Sequence, residues 1–249
     1  MSATTIGASN LLLQTLSSAD FSLVEPSLEL VHFDLGQRLV EPDEPIAHVW
    51  FPETMVVSVI AATPGGRKSE VGLTGREGMV DIGPISGSDV SPFECLIQVA
   101  GSAWQLPVTT LRGLIENEAS VRSALMLYLH AFVIQVSHTA LVNAAHSLDQ
   151  RLARLLLMTH DRIDGPIITM THQLLSTMLG VRRAGVTVAM RKQEKDGLIR
   201  TKRSSIEITN RAKLEALAAD AYGLAEKEYC RLIGTDFRRK SAAGLQSRA

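Results

Sequence analysis

Thr169-Met-Thr-His-Gln-Leu-Leu-Ser-Thr-Met-Leu-Gly180, continuing as Val181-Arg-Arg-Ala-Gly-Val-Thr-Val-Ala-Met-Arg-Lys-Gln-Glu-Lys-Asp-Gly197, is the stretch that decides the fold. Thr171 is a helix N-cap by type, its hydroxyl offered to the free amides of a first turn. Leu174, Leu175, Met178 and Leu179 give that helix a buried side, and Gly180 supplies a turn where a side chain would crowd or strain. A second helix turns Val186, Ala189 and Met190 toward the first. Its outer, early face keeps Arg182, Arg183 and Thr187. Gly197 releases it, Leu198 and Ile199 return to the core, and Arg200, Lys202 and Arg203 arm the turn of a ribbon. Ile206 and Ile208 alternate as one strand of that ribbon should. Two short helices joined at a glycine, the second opened by arginines and followed by a basic ribbon, predict a winged helix-turn-helix.

Charge supports this reading. The 249 residues carry a net charge of −1, but residues 1–145 hold 6 basic against 15 acidic groups, leaving 19 against 11 for residues 146–249. A basic half suits a polyanion, whereas an acidic half would be repelled by one and fits sensing or regulation. Between Arg182 and Arg203 there are 8 basic residues and 2 acids. Arginine matches the two acceptors on a guanine edge, while Arg191, Lys192 and Lys195 lie farther along, toward phosphates or solvent.

Upstream, the apolar residues from Leu28 to Leu106 come in brief runs broken by Gly, Pro and acidic turns. Val49–Phe51, Val56–Ala62, Glu70–Leu73, Leu96–Val99 and Trp104–Leu106 have strand character, and Pro64-Gly65-Gly66 is a turn signal. This predicts a compact antiparallel barrel or sandwich. Residues 1–19 read as a loose arm with a short helix near Asn10–Leu16. From Val108 to Asn143 there is no proline and only Gly113, with Leu111, Leu114, Val121, Leu125, Phe132 and Val136 at helical spacing. One helix of about 35 residues would span on the order of 50 Å. So long an apolar helix is expected to pack against a second copy, with Val121 and Leu125 in the seam. Leu148, Leu152, Leu155 and Leu156 form the stripe of a further helix, with Arg151 and Arg154 on its wet side. Ala212–Gly234 reads as an extra helix, and Phe237–Ala249 as a basic tail.

The sequence Leu179-Gly-Val-Arg-Arg183 … Val186 … Glu194-Lys-Asp-Gly-Leu-Ile199 resembles the recognition region of the Crp/Fnr transcription regulators, and the resemblance extends over about residues 10–215. It implies an α+β protein: an N-terminal antiparallel β-barrel of the double-stranded β-helix type (residues 1–106), a long dimerisation helix (107–145), a winged helix-turn-helix (146–211) and a C-terminal helix and tail (212–249). By position, Thr171, His172 and Gln173 would approach the DNA backbone and Arg183 would read a base. The next two reading positions hold Ala184 and Val188, so the DNA site is expected to differ from that of the best-known members. Arg182, Thr187, Arg191, Lys202 and Arg203 complete the expected interface. The implied partners are a palindromic double-stranded DNA operator, a second copy of the chain and RNA polymerase, with or without a small-molecule effector.

Cyclic-nucleotide-binding members carry Gly-Glu-Leu followed by Arg-Ser-Ala to hold ribose and cyclic phosphate. Here those regions read Gly78-Met-Val-Asp-Ile-Gly-Pro84 and Phe93-Glu-Cys95, and no arginine occurs from Glu77 to Leu111. A buried phosphate without a cationic partner is poorly compensated, so no useful cyclic AMP binding is predicted, with Glu94 adding repulsion. No cofactor is expected: the histidines make no metal pattern, and no cysteine cluster for an iron–sulfur centre occurs. Cys95 reads as a small buried residue, with a redox sensor as the alternative. No carboxylate pair, phosphate loop or nucleophile elbow suggests an enzyme. The competing function is a protein-interaction scaffold whose winged helix does not read DNA. The N-terminus has no basic residue before Arg38, and runs such as Leu11–Leu13 and Ala131–Val136 are too short to span a bilayer, which together predict a soluble, cytoplasmic chain.

Overall fold

The computed structural model describes residues 8–238, and its strands fall where branched and aromatic residues cluster. β1 (Glu29–Phe33), β7 (Gly101–Pro107) and β3 (His48–Pro52) form one antiparallel sheet in the order β1-β7-β3. β2 (Arg38–Val40), β6 (Glu94–Val99), β4 (Val56–Ala62) and β5 (Lys68–Thr74) form a second in the order β2-β6-β4-β5. Val31 lies opposite Ala103 and Phe51 opposite Trp104. Phe33, Val57, Ile97 and Ala103 belong to the apolar core that the two sheets share. All five runs expected to be strands are strands. β1 and β2 were not foreseen: β1 is largely exposed, so its alternation is weak, and β2 has only three residues.

The first described residues are not a loose arm. Asn10 is fully buried, donating from Nδ2 to the Pro52 and Gly78 carbonyls at 2.9 Å each. Leu12 and Leu13 enter the core, and α1 (Ser18–Val24), capped by Ser17, follows.

The long helix is broken. α2 (Val108–Asn117) and α3 (Ala119–Ala145) meet at Glu118, whose φ of −113° and ψ of 101° are extended. Neither glycine nor proline marks the break. Val121 and Leu125 are buried against Leu12, Phe51, Leu111 and Leu114 of their own chain, which corrects their assignment to an intermolecular seam. Met126, Leu127, Val133 and Leu141 are instead the large apolar residues of α3 left exposed. α3 is apolar on every side, so spacing alone could not say which face meets the sheets. It is also long and apolar enough to cross a membrane, unlike the shorter runs noted above, but 44% of its most apolar stretch is buried within the protein. Its seat is shaped by glycines: a Cβ at Gly72 would meet the Phe132 ring at 2.5 Å, and one at Gly78 the Tyr128 hydroxyl at 2.2 Å. Tyr128 Oη donates to the Met79 carbonyl at 2.9 Å, and the Leu73 amide donates to Gln135 Oε1 at 2.7 Å.

α4 (Leu148–Arg162) begins with a capping box, Ser147 and Gln150 satisfying each other's backbone amides. Leu152, Leu155 and Leu156 are buried as expected. Arg154 is not on a wet side; it is buried and donates to Thr139 Oγ1 at 3.0 Å. α4 also clasps the sheets. Gln98 Nε2 donates to Thr159 Oγ1 at 2.9 Å, and Arg162, fully buried, donates from Nε to Glu77 Oε1 at 2.8 Å. The extra C-terminal element is two helices, α7 (Arg211–Ala218) and α8 (Leu224–Ile233), parted where Ala219 takes a φ of +51°. α8 lies along α3, and Tyr229 Oη donates to the Glu77 carbonyl at 2.6 Å. Most of the basic tail lies outside the described residues.

Candidate nucleic-acid interface

α5 (His172–Met178) starts at Thr171, whose hydroxyl accepts from the Leu174 amide at 3.1 Å. Leu175, Met178 and Leu179 are buried, and Gly180 turns the chain with a φ of +63°, a backbone region that costs most L-residues about a kilocalorie per mole or more. α6 (Arg183–Lys195) follows, and Val186, Ala189 and Met190 join the core shared with α4 and α5. Its 13 residues span roughly 20 Å. Arg182 is the N-cap, and no side chain caps the helix, so its first-turn amides stay open. Arg182, Arg183, Ala184 and Arg191 are exposed, and Val188 is 67% exposed despite its apolar side chain.

The other expected residues divide. Thr171 and Gln173 are exposed at the start of α5. His172 is half-buried, its Nδ1 3.1 Å from Thr187 Oγ1, so these two side chains link α5 to the middle of α6. Thr187 Oγ1 also donates to the Arg183 carbonyl at 3.1 Å. Lys192 pairs with Asp149 of α4, whose hydrogen bond raises the ammonium's pKa. Arg151 Nη2 donates to the Leu179 carbonyl at the end of α5. Sequence reading missed both ties, because each joins α4 to a helix more than twenty residues away.

The ribbon has three strands, β8 (Ile167–Thr169), β10 (Ser205–Ile208) and β9 (Ile199–Lys202), in the order β8-β10-β9. Ile206 is buried, and Thr169 and Lys202 both face Ser205 in register. Lys202 and Arg203 stand exposed at the β9–β10 turn, which Ser204 makes with a φ of +55°. Arg200 departs from the expected turn position: it pairs across the strands with Glu207 at 3.3 Å. Glu194 accepts from the Thr201 amide at 2.7 Å, fixing the ribbon to α6.

In the sheet region, Glu94 does not face an anion pocket. It is buried between Arg38 at 3.0 Å and Lys68. Burial and the nearby Asp81 and Glu94 push the Cys95 thiol far above its ordinary range, so it has little thiolate character at neutral pH. Among the described residues no group of three or more His, Cys, Asp or Glu side chains could hold a metal ion.

A winged helix-turn-helix with an exposed arginine-led second helix, joined through a long helix to paired antiparallel sheets, defines a DNA-binding transcriptional regulator. Residues 150–217 match the Crp-like helix-turn-helix domain, and the fold is that of the Crp/Fnr regulators. A Crp/Fnr-family regulator from Eubacterium rectale superposes with a TM-score of 0.66 at 19% identity, covering 83% of this chain and 97% of its own. FixK2 from Bradyrhizobium japonicum gives 0.66 at 15% identity, covering 77% and 98%. A Crp/Fnr-family regulator from Thermus thermophilus gives 0.61 at 20%, covering 76% and 98%. No curated protein matches the sequence.

Proposed function

We propose that the protein is a homodimeric regulator that reads a palindromic operator and whose paired sheets form a sensor. The observation that carries this reading is the exposed, uncapped start of α6, where Arg182 and Arg183 stand beside open backbone amides. Arg183 reads a guanine edge in the major groove. Val188, exposed with nothing to satisfy but an apolar surface, suits a thymine methyl. Thr171, His172 and Gln173 approach the backbone at the start of α5, with His172 and Thr187 holding the two helices in register. Arg182 and Arg191 flank the reading residues, and Lys202 and Arg203 bring the wing turn to phosphates.

The second copy packs on the exposed strip of α3, through Met126, Leu127, Val133 and Leu141. Two-fold symmetry then places two α6 helices over half-sites about one helical turn apart. The division into a sensor (residues 1–106), a dimer helix (107–145), a DNA-binding unit (146–211) and a C-terminal appendage (212–249) belongs to the same reading. So do a cytoplasmic location, the absence of catalysis and contact with RNA polymerase at the promoter. The exposed arginines favour DNA over a scaffold role, since an interaction surface without DNA needs no cationic fork at a helix N-terminus.

Selection of bound duplexes from a random pool by the purified protein tests this directly. Enrichment of a two-fold symmetric site is expected. A pool that stays random after repeated rounds refutes sequence reading.

A further inference from the structure

A cavity of about 190 Å³ lies between the strands and the middle of α3. Val59, Val71, Met79 and Ile82 wall it on one side, and Phe132 and Val136 on the other. Its polar lining comes from Thr74, Ser91, Ser137 and Asp81, and no lysine, arginine or histidine borders it. The nearest cations of this region, Arg38 and Lys68, are committed to Glu94. An anion entering here would therefore meet no compensating charge.

Asp81 distinguishes the cavity from an ordinary packing gap. It is only 7% exposed and holds a φ of +65°, which few side chains tolerate. Oδ1 accepts from the Gly83 amide at 3.0 Å, whereas Oδ2 is buried with no hydrogen-bond partner among the described residues. A buried oxygen without a partner is costly, and a strained backbone persists only where its surroundings enforce it. Burial raises the carboxyl's pKa, so an arriving negative charge is disfavoured twice. Water answers poorly, because a mostly apolar lining offers it few of the partners it needs. Left vacant, the walls forfeit their dispersion contacts across the whole void.

We propose that this cavity binds an uncharged, largely apolar small molecule of about ten non-hydrogen atoms bearing one O–H or N–H group, which donates to the Asp81 carboxyl. The size follows from filling 190 Å³ at the packing density of roughly 0.75 found in protein interiors. Because Phe132, Val133, Val136 and Ser137 of α3 form one wall, the occupant touches the helix that connects the sheets to the DNA-binding unit. Its role as an effector rests on the regulator reading above; its binding does not.

The test uses the full chain without DNA, so failure of the DNA reading leaves it standing. Indole, indene and benzoate serve as probes of equal heavy-atom count: a neutral N–H donor, its near-isostere without the donor, and an anion. Equilibrium dialysis is expected to show saturable indole binding, with indene weaker by roughly tenfold for one lost hydrogen bond, and no saturation by benzoate. Asp81→Asn keeps an acceptor and tolerates the left-handed backbone, so it retains indole binding. Asp81→Ala brings indole down to indene. Val136→Trp fills the cavity and abolishes both, and the milder Val71→Met weakens both if the tryptophan variant fails to fold. The proposal is overturned if neither neutral probe saturates by about a hundred micromolar, a range in which well-filled pockets of this size bind. It is equally overturned if indene matches indole on the wild type, if benzoate binds as well as indole, or if a folded filling variant still binds.

Discussion

Replacing Arg162 with methionine should uncouple the two halves of the chain. The arginine sits at the end of α4 with its side chain fully buried, donating to Glu77 Oε1 at 2.8 Å and to the Met158 carbonyl at 2.8 Å, with its guanidinium 4.8 Å from the Phe237 ring centre. Methionine keeps a stem that can pack over Gly75, where the arginine stem now lies so close that a Cβ would meet its carbons within 3.0 Å. What is lost is the charge. Glu77, only 3% exposed, is left with the Gly75 amide as its remaining donor among the described hydrogen bonds. Stranding one partner of a buried ion pair costs about 3–5 kcal/mol, against a total stability of roughly 5–15 kcal/mol. Removing both charges, in Arg162→Met with Glu77→Gln, should recover at least about 2 kcal/mol relative to additivity. Urea unfolding with two signals reads the effect. Both tryptophans, Trp50 and Trp104, lie in the strands, so their fluorescence follows the sheets while far-ultraviolet dichroism is dominated by the helices. In the wild type the two signals should coincide; in Arg162→Met the helical signal should melt first. A loss below about 1 kcal/mol, or strict additivity in the double variant, would show that this pair does not join the halves.

Four further outcomes follow from the same geometry. Arg183→Ala should cost about 1–3 kcal/mol of preference for the selected operator while leaving binding to random duplex nearly unchanged; equal losses on both in gel-shift titrations would reduce it to a phosphate contact. Replacing Lys202 and Arg203 together by alanine should weaken binding to both DNAs and lower the log–log salt slope by about 2, and an unaltered slope would remove the wing from the interface. Leu127→Glu should give folded monomers in sedimentation, whereas Val121→Glu should unfold the chain because that residue is 2% exposed within its own core; a folded, dimeric Leu127→Glu places the seam elsewhere. Glu70 is buried with its carboxyl raised to about 7 by desolvation, against the opposing pull of Ser58, Arg154 and Arg162. The protonated form therefore favours folding: this contribution is full below the unfolded value near 4.5, falls as the pH rises to about 7, and is flat above. Glu70→Gln should erase that slope and stabilise the protein at pH 8 by on the order of 3 kcal/mol, and parallel stability curves for the two proteins would contradict it.

The DNA-binding unit was legible in the sequence because its signals are local. The Thr171 cap, the positive φ at Gly180, the arginines opening α6 and the release at Gly197 each act within a turn of their own position. The strands with dense branched residues were legible for the same reason. What escaped was set by distant packing. The break at Glu118 carries no breaker residue, and α3 shows apolar residues all round, so its inward and outward faces differ only once the sheets are in place. Arg154 and Arg162 look solvated on a helical wheel, yet α3, α8 and Glu77 enclose them. The cavity was illegible because it is a property of facing surfaces from both sheets and α3, although Asp81 stood out as an acid among Met79, Val80 and Ile82.

The glycines beneath α3 carry a consequence for how this protein can change. Gly72 and Gly78 sit where any side chain would strike Phe132 or Tyr128, so they work as a spacer gauge between sheet and helix. Phe132 is also a wall of the cavity, which means the gauge fixes that wall's position too. Drift in the lining residues can retune what the cavity accepts while the helix stays seated. A methyl group at Gly72 would instead lift the helix itself, altering the cavity and the exposed strip of α3 in one step. Variation that diversifies the ligand and variation that resets the whole machine are thus separated by position, a few residues apart on the same segment of chain.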